Sequence, residues 1–310
     1  MARIIEHFSE ISANYDAVFC DLWGCLHNGK HPFQLAVKAL ETFRDAGGII
    51  LLLTNSPRPK TSVVIQLDEI GVERDLYQEV ATSGDSARSA LASGYFGTDI
   101  FHIGPDRDTS FFASDDIPDM AKINRVPLHK AQSIVCTGLF DDQTESSEDY
   151  AEIFLEAKNC GMNLLCANPD IQVDLGDKRI FCAGALAKAY TELGGTSHYF
   201  GKPHTPIYDL ARSRLALAAG RMIEARRVLC IGDGINTDIL GAVNEGFDSL
   251  FVSGGLAKKE TATNPQPNQK KTGSFFAISQ YHTNCHNWPF ALKCCVLYGI
   301  LDPQGNLITF

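Results

Sequence analysis

The chain has 310 residues, 45% hydrophobic and 21% charged, with a formal net charge of −10. That composition excludes a disordered chain and gives enough length for about two domains with sizeable cores. The acidic surplus argues against nonspecific binding to nucleic acid or to anionic membranes, because polyanions are repelled. No stretch approaches the roughly twenty apolar residues of a spanning helix. Glu6, His7 and Glu10 interrupt the N-terminal segment, so no signal peptide and a cytoplasmic location are expected.

In chain order, Ala17-Val18-Phe19-Cys20 reads as a buried strand that ends at Asp21 and passes into the glycine-containing loop Leu22-Trp23-Gly24-Cys25-Leu26-His27-Asn28-Gly29. Residues 35–46 have a helical pattern stopped by Gly47-Gly48, a strand follows over 49–53, and Val63, Val64, Leu67 and Ile70 mark a second helix. A short strand over 79–83 runs into a helix over 86–91. Residues 87–195 then carry strand patterns of their own at 100–103, 133–136 and 163–166, with helices over 147–159 and 186–193. A strand at 198–200, a helix over 207–217, the strand 228–231 and a helix after Asp238 complete the alternation. This pattern predicts an α/β fold, a doubly wound parallel-sheet core over 1–86 and 196–260, interrupted by an inserted α/β domain over 87–195. Residues 261–310 form an extension of unclear order, beginning with the linker-like run around Pro265 and Pro267.

Four strand ends carry polar groups: Asp21, Thr54-Asn55, Lys202 in Gly201-Lys202-Pro203, and Asp233 in Gly232-Asp233-Gly234. In open α/β sheets, ligands bind beyond the carboxyl ends of the strands, so these four would converge on one crevice. The same pieces, in this order, resemble the haloacid dehalogenase-like (HAD) hydrolase superfamily. Thr54-Asn55-Ser56-Pro57-Arg58, Gly-Lys-Pro and Gly-Asp-x-x-x-Thr-Asp together resemble its subclass IIA, the p-nitrophenyl-phosphate, pyridoxal-phosphate and phosphoglycolate phosphatases.

The resemblance implies an HAD-like core with a cap domain and a phosphatase acting on a small phosphorylated metabolite. Asp21 would be the nucleophile that becomes an aspartyl-phosphate, with Thr54 and Lys202 completing the catalytic set. It further implies Mg²⁺, held by Asp21, the backbone carbonyl of Trp23, and Asp233, with Asp238 orienting the shell. Asn55, Arg58, Asn168 and Asp170 would contact substrate, the last two from the cap. Self-association into a homo-oligomer is left open.

Trp23 departs from the pattern, because phosphatases of this superfamily place there an Asp that protonates the leaving oxygen. An indole exchanges no proton near neutral pH, and general acid–base help is worth roughly two to four orders of magnitude in rate. The alternative is therefore a weakly active or inactive HAD-fold protein that binds a phosphorylated ligand. Carbon–halogen cleavage would also use an Asp nucleophile without the second Asp, but the acidic pair and the cap argue against it. His27 is a candidate surrogate acid, set against its plainer reading as a loop histidine bonded to backbone. Of the ten cysteines, Cys20, Cys136, Cys166, Cys182 and Cys230 lie in or beside apolar runs, as free buried thiols would in a reducing compartment. The irregular spacing of His282, Cys285, His286, Cys294 and Cys295 argues against zinc there.

Overall fold

A computed structural model describes residues 3–175, 178–252, 276–279, 300–301 and 307–308. In chain order its main elements are β1 (Arg3–Ile5), β2 (Ala17–Cys20), α1 (Gln34–Asp45), β3 (Ile49–Thr54), α2 (Lys60–Glu69), β4 (Glu79–Thr82) and α3 (Ser83–Ala92). Next come β5 (Asp99–Ile103), β6 (Asn124–Arg125), β7 (Ser133–Cys136), α4 (Ala151–Asn159), β8 (Asn163–Cys166), β9 (Gln172–Leu175), β10 (Lys178–Phe181) and α5 (Ala183–Glu192). Then follow β11 (Thr196–Tyr199), α6 (Thr205–Ala219), β12 (Val228–Gly232), α7 (Leu240–Asn244), β13 (Asp248–Val252) and β14 (Phe276–Ser279).

The larger sheet has the order β1-β14-β13-β12-β2-β3-β4. The run from β13 to β4 is parallel, whereas β14 is antiparallel to both β13 and β1. Strand residues alternate between two cores, as a period of two requires when helices cover both faces. Val18, Ile50, Leu52, Val80 and Leu229 pack with Leu40, Phe43, Val63 and Leu67 of α1 and α2. Phe19, Leu51, Leu53, Ala81 and Cys230 pack with Ile207, Tyr208, Ala211 and Leu215 of α6. Each buried Leu or Ile contributes about 1.5–3 kcal/mol of transfer free energy.

The second sheet, β11-β8-β7-β5-β6, is parallel throughout. Ile134, Cys136, Leu164 and Cys166 face α4 and α5, and Ile100, Val135 and Leu165 face Ala87 and Leu91 of α3. The doubly wound α/β design is thus repeated. One expectation is corrected: the strand near residue 198, assigned to the core, is β11, and it pairs in parallel with β8 in the second sheet. Its sequence, Thr-Ser-His-Tyr, reads equally as an edge strand of either sheet, and only the pairing distinguishes them. Lys202 therefore follows a strand of the second sheet and sits in the loop that returns the chain to α6.

The extension, in which no pattern was legible, supplies β14 between β13 and β1. The linker-like run and the cluster His282, Cys285, His286, Cys294 and Cys295 lie outside the described residues. Among the described residues no helix is long and apolar enough to cross a membrane.

Arg88 of α3 is fully buried and ties that helix to the segment that follows β5. Its guanidinium donates to the carbonyls of Phe111 (2.8 Å) and Ala113 (2.6 Å) and to Asp116 (2.6 and 2.9 Å). Asp85, one turn earlier, pairs with Arg214 of α6 at 2.7 Å.

Candidate active site

The strand order reverses between β2 and β12: after β2 the chain moves outward through β3 and β4, and after the second sheet it returns to the other side of β2. A crevice opens at such a switch point. The register pairs Cys20 with Ile231, so Asp21 and Asp233 leave neighbouring strands side by side, and the Asp21 N–H donates to the Ile231 carbonyl at 2.8 Å. Gly24 has φ +85°, and a Cβ there would fall 2.1 Å from Oδ2 of Asp233. Only glycine both adopts that conformation readily and leaves room for the carboxylate.

Lys202 is 2% exposed and its Nζ lies 2.6 Å from Oδ1 of Asp21 and 2.6 Å from Oδ1 of Asp238. The ammonium also donates to the Leu53 carbonyl at 3.1 Å. A π-type turn over Ile235–Ile239 carries Asp238, whose Oδ2 accepts the Gly234 N–H at 3.1 Å. Burial alone would lower the Lys202 pKa, but Asp21 and Asp238 outweigh it and hold the ammonium charged. Burial raises the Asp21 pKa, and Asp238 and Asp233 add to the rise against the pull of Lys202. Lys202 serves Asp21 and Asp238, and the charge of Asp233 beside Asp21 adds to a concentration of buried carboxylates that favours an added cation.

The donor chemistry fits Mg²⁺. Oxygen ligands from Asp21 and Asp233 suit a hard ion that keeps several waters. Oxygens of these two residues and Sγ of Cys25 all lie within 4.8 Å of one another. Cys25 was missed from sequence, although its position four residues after Asp21 on the same loop was the available signal. Asp238 commits its two oxygens to Lys202 and Gly234 and stands outside this close group.

Thr54 ends β3, and its Oγ1 accepts the Ser56 N–H at 3.2 Å. Asn55 bonds in both directions: Lys202 N donates to its Oδ1 at 2.7 Å, while its Nδ2 donates to the Lys202 carbonyl at 3.1 Å and to Oδ1 of Asp170 at 2.9 Å. That last bond joins the loop after β3 to the loop after β8. Two glycines hold these loops close. The Gly84 N–H donates to the Ser56 carbonyl at 3.0 Å and the Gly184 N–H to the Asp170 carbonyl at 3.1 Å. A Cβ on Gly84 would come 2.2 Å from the Pro57 carbonyl oxygen, and one on Gly184 2.1 Å from that of Pro169.

The remaining residues are further from Lys202 in this bonding network. Asn168 accepts the Asp170 N–H at 3.1 Å within its own loop. Arg58 donates to Gln66 at 2.5 Å; burial lowers its pKa while Asp108 of the second unit opposes that. Asp108 belongs to a 3₁₀ turn over Asp106–Phe112, to which no chemistry was assigned from sequence. It is buried, which raises its pKa against the pull of Arg107, Arg58 and a Thr137 hydrogen bond.

Trp23 is half-buried and meets the His27 ring edge-on at 5.6 Å. His27 is buried; its Nδ1 accepts the Gly29 N–H at 3.0 Å, and burial brings its pKa down to about 4. The structural reading of His27 is favoured, because a neutral ring so engaged offers little as an acid near pH 7.

Residues 18–117 match the haloacid dehalogenase-like hydrolase family and residues 199–273 the HAD-hydrolase-like family. A solved hydrolase of the haloacid dehalogenase-like family from Brucella suis 1330 is 42% identical, with a TM-score of 0.76, over 81% of this chain and 90% of that one. Glycerol phosphate phosphatase from Mycobacterium tuberculosis, solved in complex with magnesium, is 23% identical with a TM-score of 0.59, over 82% of this chain and 73% of that one. The 5'-nucleotidase YutF of Bacillus subtilis is 23% identical over 86% of this chain and 97% of its own length. Two matched segments, the first holding Asp21 and Thr54 and the second Lys202 and Asp233, and a solved member at 42% identity, fit the strand ends described above: the chain belongs to the haloacid dehalogenase-like hydrolase family.

Proposed function

We propose that the chain is a Mg²⁺-dependent phosphatase of a small phosphorylated metabolite, working through an aspartyl-phosphate on Asp21. The observation that carries this reading is the Lys202 ammonium held between Asp21 and Asp238, with Asp233 beside Asp21 at the switch point. A carboxylate oxygen of Asp21 attacks phosphorus, the bond to the leaving oxygen breaks, and water later hydrolyses the acyl-phosphate. Lys202, the Thr54 hydroxyl and the backbone N–H groups near Asn55 balance charge on the phosphoryl oxygens. Mg²⁺, when bound by Asp21, Asp233 and the Trp23 carbonyl, supplies charge neutralisation between nucleophile and phosphoryl group. Asp238 orients Lys202.

The unit containing the second sheet acts as the cap, and the bond between Asn55 and Asp170 closes it over the crevice. Closure excludes water from the reacting centre. Asn168 and Arg58 shape the substrate side, Arg58 together with Asp108. Relatives named acid sugar phosphatase and D-glycerol 3-phosphate phosphatase support a phosphate monoester as substrate. Location in the cytoplasm accords with the free buried cysteines.

Trp23 favours a second reading, a binder of phosphorylated ligands with low turnover. Phosphate release from a panel of esters, with and without Mg²⁺, separates the two. Mg²⁺-stimulated release that is lost in Asp21→Asn supports the phosphatase; ligand binding without release supports the binder.

A further inference from the structure

We propose that Cys25 makes the Asp21–Asp233 pair a mixed thiolate–carboxylate site that takes a thiophilic divalent cation, of the zinc, cobalt or cadmium kind, at the Mg²⁺ position. The proposal rests on the preceding reading only in treating the two carboxylates as metal ligands.

The donor atoms lie within 4.8 Å of one another, and Asp21, Cys25 and Asp233 are 8%, 6% and 2% exposed. Magnesium takes oxygen ligands and has little use for sulfur, whereas thiolates select zinc and its neighbours. Tetrahedral zinc, with bonds of about 2.3 Å to sulfur and 2.0–2.2 Å to oxygen, sets its donors roughly 3.4–3.7 Å apart. A 4.8 Å bound leaves at most about 1.4 Å to close, within reach of side-chain rotation. Gly24 brings the Asp233 carboxylate against the very loop that bears Cys25, since any Cβ there would strike Oδ2. Other buried thiols nearby face elsewhere: Cys20 donates to the Asp21 carbonyl at 3.2 Å and Cys166 to the Asn168 carbonyl at 3.3 Å. As the metal–sulfur bond forms, the thiol proton passes to solvent, and nothing is oxidised or reduced. Water or Asp21's second oxygen completes the coordination.

The test is a Co²⁺ titration of the full chain, followed by near-ultraviolet sulfur-to-cobalt charge transfer and by calorimetry. One equivalent should bring up the band, excess Zn²⁺ should bleach it, and Cys25→Ser and Asp233→Asn should each weaken Co²⁺ binding at least tenfold and remove the band. Cys160→Ser, at an exposed thiol, should keep it. Absence of the band in the wild-type protein overturns the proposal whatever the variants do. So does a band that survives in folded Cys25→Ser or ignores Zn²⁺. The band is read without turnover, so a Cys25-dependent band in a protein whose phosphate release ignores Mg²⁺ supports the site and sinks the phosphatase reading. Mg²⁺-stimulated release without the band sinks the site alone.

Discussion

Lys202 and Asp21 are 181 positions apart in sequence, yet Nζ and Oδ1 meet at 2.6 Å in a setting that is almost closed to water. Removing one partner of such a pair leaves an uncompensated charge, at a cost of about 3–5 kcal/mol. Lys202→Met should therefore abolish phosphate release and lower unfolding stability by that order. Urea denaturation beside a phosphatase assay checks both, and a variant as stable as wild type would contradict the buried-pair account.

The Trp23 ring packs over Gly29, where a Cβ would come 2.4 Å from the indole, and against His27. Trp23→Asp removes that packing and costs about 1–3 kcal/mol, but it restores a group able to move a proton. Turnover of alkyl phosphates should rise by one to two orders of magnitude, with a smaller gain on esters of good leaving groups. Rapid-quench trapping should show a shorter-lived Asp21 phosphoenzyme. Equal lifetimes in both proteins would clear Trp23 of limiting the reaction.

His27 has a folded pKa of about 4, below its ordinary value of 6.5, because it is buried as a neutral ring. Below pH 6.5 the unfolded chain takes up a proton that the folded protein refuses until about pH 4. Stability that is fully present above pH 6.5 is thus lost progressively between those limits, by at most roughly 3 kcal/mol from this residue. Urea midpoints of wild type and His27→Gln from pH 7.5 to 4 should converge toward the acid end. A constant difference would show that His27 does not titrate in this window.

Arg88→Met strips the buried partner from Asp116 and leaves the Phe111 and Ala113 carbonyls unpaired. The expected cost is about 1–3 kcal/mol for each carbonyl left unpaired, while Asp116, 41% exposed, is re-solvated and adds little. Hydrogen exchange should rise first in residues near 111–116, where the lost contacts lie. Uniform acceleration across both sheets would mean that α3 is not a local tie.

The parallel core and the four polar loops were legible because β2, β3 and β12 are apolar runs that stop abruptly at charged or hydroxyl residues. Helix limits moved by only a few residues: α1 spans Gln34–Asp45 where 35–46 was read. What escaped was decided by pairing between distant segments. β11 has no periodicity that assigns it to one sheet, and β14 lies in a stretch whose composition resembles a linker and tail. Arg88 looks like any charged helical residue until Phe111, Ala113 and Asp116 are folded around it. The same holds for Cys25, whose neighbour Asp233 is separated from it by most of the chain.

Gly84 and Gly184 occupy the second position of α3 and α5, and neither needs an unusual φ; each is small because a carbonyl passes directly beside it. The two helices act as matched abutments, one seating the loop of Asn55 and the other the loop of Asp170. The alignment of the two halves of the crevice is therefore gauged by two positions that carry no functional group at all. A methyl added at either one would be accommodated by displacing a loop, and the error would be passed undiminished to the 2.9 Å junction between Asn55 and Asp170.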